Sequence, residues 1–150
     1  MNKKISCNDD LGFYIKKINN HIEREFHSLY KKANIHSYSL MNMQIVNFLY
    51  NMEKVNEHIF QKDIEEEFFI NKATASKMLS LMEEKELIKR VSLETDARLK
   101  KIILMEKGRN LQKKSKELII SLEKKLQKDI SLQDIEIFKS LCKKIIKNME

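Results

Sequence analysis

Two stretches of this chain gather cations among small hydroxyl side chains. In the first, Lys72, Thr74, Ser76, Lys77 and Ser80 leave one side of a helical pattern; in the second, Lys89, Arg90, Arg98, Lys100 and Lys101 flank a polar run. Side chains of these types hydrogen-bond base edges and pair with phosphates, and in this arrangement they offer recognition rather than bond-making. The charge balance points the same way. Of 29 basic and 22 acidic residues, the first 75 positions hold 10 of each and the last 75 hold 19 and 12, so the whole excess of +7 lies in the second half. A local excess of this kind is the footprint expected for a polyanion, nucleic acid foremost. Lysine outnumbers arginine 25 to 4, however, and lysine on solvated helix faces is ordinary, so charge alone leaves the question open.

Constellations for catalysis are missing from the sequence. His21, His27, His36 and His58 lack the HExxH spacing and no serine sits in a glycine elbow. Gly12 and Gly108 are the only glycines, which excludes a phosphate-cradling loop or a dinucleotide fingerprint. Neither an enzyme nor a cofactor is expected. His21 with Glu25 and Glu23 with His27 share a helix face at i, i+4, but two ligands make no metal site, and none is expected. Cys7 and Cys142 lie near opposite ends without a CxxC or Cys/His cluster, which signals neither disulfide framework nor zinc and fits a reducing cytoplasm. No apolar run approaches the roughly 18 residues that cross a bilayer, and MNKKISCNDD lacks the apolar stretch of a secretory signal, so no membrane partner is expected.

The elements that must carry the two cationic stretches follow from periodicity. Zero Pro and two Gly remove the turn punctuation of all-β folds, so the chain should be mainly helical. Leu11, Ile15, Ile18, Ile22, Phe26 and Leu29 form the stripe of a long amphipathic helix over 9–33; Leu132, Ile135, Phe138, Leu141, Ile145 and Met149 repeat it after a break at 129–131. Stripes this long exceed what one small domain needs and suggest a second subunit, the alternative being an intramolecular bundle. Between them, Leu40 to Met52 reads as a helix, Gln61 to Phe68 as a short acidic one, and Lys72 to Lys85 as a third capped by Asn71, with Ala75, Met78, Leu79 and Met82 inward. The period then changes. Leu87 to Val91 and Lys100 to Leu104 read as two strands of a hairpin with a charged tip, and Met105 to Lys128 as a further helix.

Helix, helix, helix and hairpin is the order of a winged helix-turn-helix, and the residues over 40–111 resemble the MarR family of bacterial transcriptional regulators. The family's Leu-Thr-x-x-Gln opening is similar to Leu40-Met41-Asn42-Met43-Gln44, with Met in place of Thr. Its Asp-Leu-Ala-Glu-x-Leu-Gly helix resembles Asp63 to Phe69, with Phe in place of Gly. The recognition helix, a Ser-Thr-Val-Ser/Thr-Arg run ending in Leu-x-x-x-Gly-Leu-Ile, is similar to Ala73 to Lys77 and to Leu81 through Glu86-Leu87-Ile88, Glu86 replacing the Gly. The wing resembles the family most closely, in Arg90, Asp96-Ala97-Arg98, Ile102-Ile103-Leu104 and the junction Leu104 to Gly108. With the flanking helices, the likeness covers nearly the whole chain.

What the resemblance implies is a mainly α chain with a small β-hairpin wing: a winged helix-turn-helix over 38–108 between dimerisation helices at 9–36 and 110–150. It implies a cytoplasmic, homodimeric regulator of transcription, a repressor released by a ligand, bound to an inverted-repeat operator in double-stranded DNA. Lys72, Thr74, Ser76, Lys77 and Ser80 would then enter the major groove and Arg98 the minor groove. Asp96 would orient a wing arginine, while Lys89, Arg90, Lys100 and Lys101 would meet phosphates. A small-molecule inducer would sit in a crevice beside Tyr14, Met43, Phe48 and Met52, and redox sensing would run through Cys7. Two other readings remain open at this level: a helical protein-interaction adaptor without nucleic acid, and a non-specific architectural DNA binder.

Overall fold

The computed structural model describes residues 9–35 and 37–150, and among these it places six helices and two strands. The helices are α1 (Leu11–Lys32), α2 (Leu40–Lys54), α3 (Gln61–Glu67), α4 (Lys72–Glu84), α5 (Glu106–Leu126) and α6 (Leu132–Met149). The strands β1 (Ile88–Ser92) and β2 (Lys100–Leu104) pair antiparallel, with Ile88 opposite Leu104 and Ser92 opposite Lys100. The expected mainly helical chain with one hairpin is what is found. By contacts it divides into one unit up to Leu118 and a second from Ile119 to Glu150, with α5 running across the boundary.

Short polar residues start the helices of the first unit. Asp10 accepts from the Phe13 N–H at 2.8 Å to open α1, and Asn71 accepts from Thr74 at 2.8 Å to open α4. Ser39 and Asn42 exchange reciprocal bonds of 3.1 Å at the head of α2, satisfying two N–H groups that the helix itself cannot. Asp63 accepts from the Phe60 N–H at 2.7 Å in the same way on α3.

Four helices end by a common device. At the ends of α1, α2, α3 and α4 the chain turns through a left-handed residue, Asn34, Asn56, Phe69 and Glu86, with φ of 55°, 57°, 48° and 60°. In each, that residue's N–H returns to the carbonyl three back, and the next N–H to the carbonyl five back; at α4 the bonds are Glu86 to Glu83 and Leu87 to Met82, both 2.9 Å. This is the Schellman ending, normally built on glycine because a Cβ is strained there. Asparagine tolerates the conformation; phenylalanine and glutamate do so at a cost. The expected Gly positions of the resemblance are therefore left-handed, with the glycine replaced.

Apolar side chains from α2, α3, α4 and the hairpin meet in one core: Met43, Ile45, Leu49, Ile64, Leu79, Met82, Leu87 and Ile88 are all at most 2% exposed. Ile59, just before α3, adds a single bridge to β2, its carbonyl accepting from the Ile102 N–H at 2.7 Å. The hairpin returns to α5 through Gly108, where a Cβ would overlap the Leu87 carbonyl oxygen and come within 2.7 Å of Leu104 Cδ1. On α5, Arg109 holds Glu53 of α2 with two bonds of 2.7 and 3.1 Å, and Gln112 reaches Asn47 at 3.2 Å.

The α1 stripe is covered over only part of its length. Phe26 and Tyr30 are buried, while Leu11, Ile15 and Ile18 stand exposed, Leu11 at 70%. In the second unit α6 starts on Ser131, which accepts from the Asp134 N–H at 3.1 Å, and none of its residues is buried. Leu132, Phe138, Leu141 and Met149 of its stripe face solvent, Phe138 at 57%.

Candidate nucleic-acid interface

Helix α4 packs on α3 and on β1 through Ala75, Leu79 and Met82, each fully buried, and this fixes which side it leaves outward. On that side Lys72, Thr74 and Lys77 are exposed and Ser76 and Ser80 half-buried. In the hairpin Lys89, Arg98 and Lys100 are exposed, with Lys101 half-buried. Among the described residues, no ion pair holds Lys72, Lys77, Lys89 or Arg98. Cations left without an internal counter-charge next to helix and hairpin make a surface suited to an anionic polymer.

The tip of the hairpin is shaped by Asp96 acting on backbone. Its Oδ1 accepts from the Arg98 N–H at 2.9 Å, its carbonyl accepts from Leu99 at 3.1 Å, and Leu93 donates to the Leu99 carbonyl at 3.0 Å. Asp96 thus turns the loop so that Arg98 projects from it, by a main-chain bond rather than through the guanidinium.

Arg90 is engaged inside the protein. Its Nε and Nη2 donate to Glu83 Oε2 at 2.9 and 2.8 Å, its backbone N–H donates to Glu83 Oε1 at 2.9 Å, and Nη2 also reaches Ser80 Oγ at 3.2 Å. Both side chains are mostly covered, at 25% and 35% exposure. The Arg90 backbone bond, then its guanidinium and the more distant Lys100, hold the Glu83 carboxyl below the usual carboxylate range, against the opposing effect of burial. Sequence reasoning grouped Arg90 with the phosphate contacts and passed over Glu83. The available signal was spacing: Ser76, Ser80 and Glu83 stand at i, i+4 and i+7, on one face of α4.

Of the four residues expected around an inducer, Phe48 and Met52 come together and Met43 and Tyr14 do not join them. Met43 is fully buried in the core, and Tyr14 stands exposed on α1, donating to Asp9 at 2.6 Å. Phe48 meets Phe68 edge to face at 5.8 Å, and with Met52 lines a cavity of about 560 Å³ whose other walls include Asp63, Glu66 and Glu67. A larger cavity, about 690 Å³, lies between α1, the start of α2 and α4, with Phe26, Tyr30 and Tyr38 on one side and Thr74, Lys77 and Met78 on the other. Lys85 donates to the Ser37 carbonyl at 2.6 Å at its edge, and burial raises the Tyr30 phenol above its ordinary value. Periodicity identified the apolar residues of these helices but not which of them face one another.

Cys7 lies outside the described residues; Cys142 is half-buried on α6 with a free thiol. Among the described residues no group of three or more His, Cys, Asp or Glu could hold a metal ion, and no helix is long and apolar enough to cross a membrane.

Comparisons with known proteins bear on this arrangement. A family model described as MarR family matches residues 36–99, which span the start of α2 through the hairpin tip. Among solved structures, the transcription regulator MarR from Oenococcus oeni PSU-1 is similar at 25% identity and a TM-score of 0.74, covering 92% of this chain and 99% of that one. The MepR–DNA complex of S. aureus is similar at 19% identity and a TM-score of 0.81, covering 94% and 99%. Streptococcus pneumoniae FabT in complex with DNA is similar at 17% identity and a TM-score of 0.72, covering 93% and 94%. A comparison by sequence with curated proteins gives no match.

Proposed function

From a chain that belongs to the MarR family and carries its winged helix between long flanking helices, we propose a homodimeric, sequence-specific DNA-binding repressor, released from an inverted-repeat operator by a small ligand. The observation that carries the reading is the pairing of α4 with a hairpin whose exposed cations have no ion-pair partner among the described residues. An α-helix fits the major groove, where Lys72, Thr74, Ser76 and Lys77 meet base edges and phosphates; Arg98 at the hairpin tip enters the adjoining minor groove. Lys89, Lys100 and Lys101 contact the sugar-phosphate backbone, which positions without specifying. Two similar proteins, MepR and FabT, have structures with DNA, which supports the partner class.

A second copy doubles this small interface. The exposed part of α1 and, in the second unit, the exposed face of α6 each offer apolar surface to that copy, and two-fold symmetry sets the recognition helices on half-sites about 34–36 Å apart. Thr74 and Lys77 line the cavity against α1, so a ligand there competes with DNA for the same side chains. Among the described residues the site offers groups that bind rather than groups that make bonds, and the reading sets it in the cytoplasm.

The test is a titration of the protein against duplex from its own upstream region and against a scrambled duplex, at two salt concentrations. A preference that survives higher salt is expected, and Arg98→Ala should weaken the preferred duplex about tenfold or more. Equal, salt-sensitive affinity for both duplexes would instead mark an architectural binder.

A further inference from the structure

Glu83 is a carboxylate on the recognition helix of a protein read here as binding a polyanion. By Coulomb's law alone it opposes that binding. The geometry gives it another task. Every hydrogen bond between α4 and the two strands, among the described residues, is made by Arg90 to Glu83 or to Ser80. The chain joining them passes through Glu86, whose left-handed φ of 60° makes a sharp corner between α4 and β1. The hairpin is also held at its base, by Met105 to the Leu87 carbonyl at 2.9 Å, and on its β2 edge, by Ile102 to Ile59 at 2.7 Å. Arg90 lies beyond the base, opposite Ile102 in mid-strand, on the strand that contacts α4, so its bonds to Glu83 set the angle between that helix and the hairpin. A two-oxygen acceptor gripped by a planar guanidinium and a backbone N–H holds such an angle better than an ammonium could.

We propose that Glu83 and Arg90 are positioning residues for duplex binding. Their clamp holds the wing at the angle that lets α4 and Arg98 engage one duplex together, and Arg90 is spent on that clamp rather than on a phosphate. The inference rests on the DNA-binding reading above and goes beyond it in giving an acidic residue of the recognition helix a favourable part.

Glu83→Gln is the informative variant, because the two accounts predict opposite signs. Simple electrostatics has it bind all duplexes more tightly, one repelling charge having gone. The clamp has it bind the preferred duplex about tenfold more weakly. It also lowers the slope of log affinity against log salt by about 1 for each phosphate contact the wing gives up. Arg90→Lys, which keeps the charge and loses the planar grip, should behave the same way. All titrations are run at temperatures where circular dichroism shows each variant fully folded, so lost stability does not enter the comparison. Glu83→Gln binding the preferred duplex as well as or better than the parent overturns the proposal. So does Arg90→Lys binding with the parent's affinity and salt slope, which makes Arg90 a plain phosphate contact. A parent that prefers no duplex removes the DNA reading itself, a result distinct from either.

Discussion

Phe69 and Glu86 occupy left-handed backbone without glycine's freedom, at a cost of about 1 kcal/mol or more each. Phe69 is 85% exposed, so removing its ring sacrifices almost no burial. Phe69→Gly should therefore stabilise the fold by about 1 kcal/mol, read as a higher denaturant midpoint at unchanged m-value. Glu86→Gly should do nearly the same, since the bond it forfeits, to Lys107 at 3.1 Å, is a solvent-exposed pair worth little. A lower midpoint in either would mean that the side chain holds its turn in a way the contacts do not reveal. Glu83 makes a pH prediction. Its folded carboxyl titrates below the unfolded value of about 4.3, so its contribution is complete above that value and is lost as pH falls through the lower one. The stability difference between parent and Glu83→Gln should stay constant from about pH 7 to about pH 5 and narrow as the pH falls below the unfolded value. At this scale the sequence was partly legible. The outward face of α4 followed from period, but Arg90's commitment to Glu83 depends on how a strand folds back over a helix, and spacing along the chain carries no sign of it. Asp96 was read as a carboxylate that orients a wing arginine; that its bond goes to the Arg98 backbone N–H rather than to the guanidinium is loop geometry that spacing does not carry.

Among elements, the junction of hairpin and α5 has the least room. A Cβ at Gly108 would strike the Leu87 carbonyl, backbone that cannot rotate aside as a side chain can. Gly108→Ala should cost about 1–3 kcal/mol, the range for overpacking a filled site, seen as a lower melting temperature. A neutral result would mean that α5 shifts freely against the hairpin. The elements themselves were well marked in sequence because the signals are local: Ser39 and Asn71 are side-chain caps within three residues of their targets, and Ile102-Ile103-Leu104 breaks the helical period. Pairings between elements were not marked. Met43, Phe48, Met52 and Tyr14 all carry suitable side chains, yet Met43 points into the core, Phe48 into Phe68 and Tyr14 into solvent, because each helix's rotation about its axis is set by its neighbours.

At the level of the whole molecule, the Leu11, Ile15 and Ile18 end of α1 and, in the second unit, the stripe of α6 present apolar side chains that the single chain leaves exposed. Exposed runs of this length usually mark a partner surface. Sedimentation at micromolar concentration should report twice the 17.9 kDa of one chain. Phe138→Glu should return it to one chain's mass with its helical signal retained, and a parent that sediments as a single chain would end the dimer reading. The four helix endings bear on how such a protein changes over generations. Point substitutions as a class destabilise by about 1 kcal/mol, those on an exposed reading face by somewhat less, and a chain near its stability threshold discards the costlier ones. Here Phe69 and Glu86 are two positions where one replacement by glycine returns a comparable amount without touching α4's outward side chains. The strained corners thus form a reserve against which new base preferences can be tried, so a lineage carrying this fold can acquire different target sequences without first losing the ability to fold.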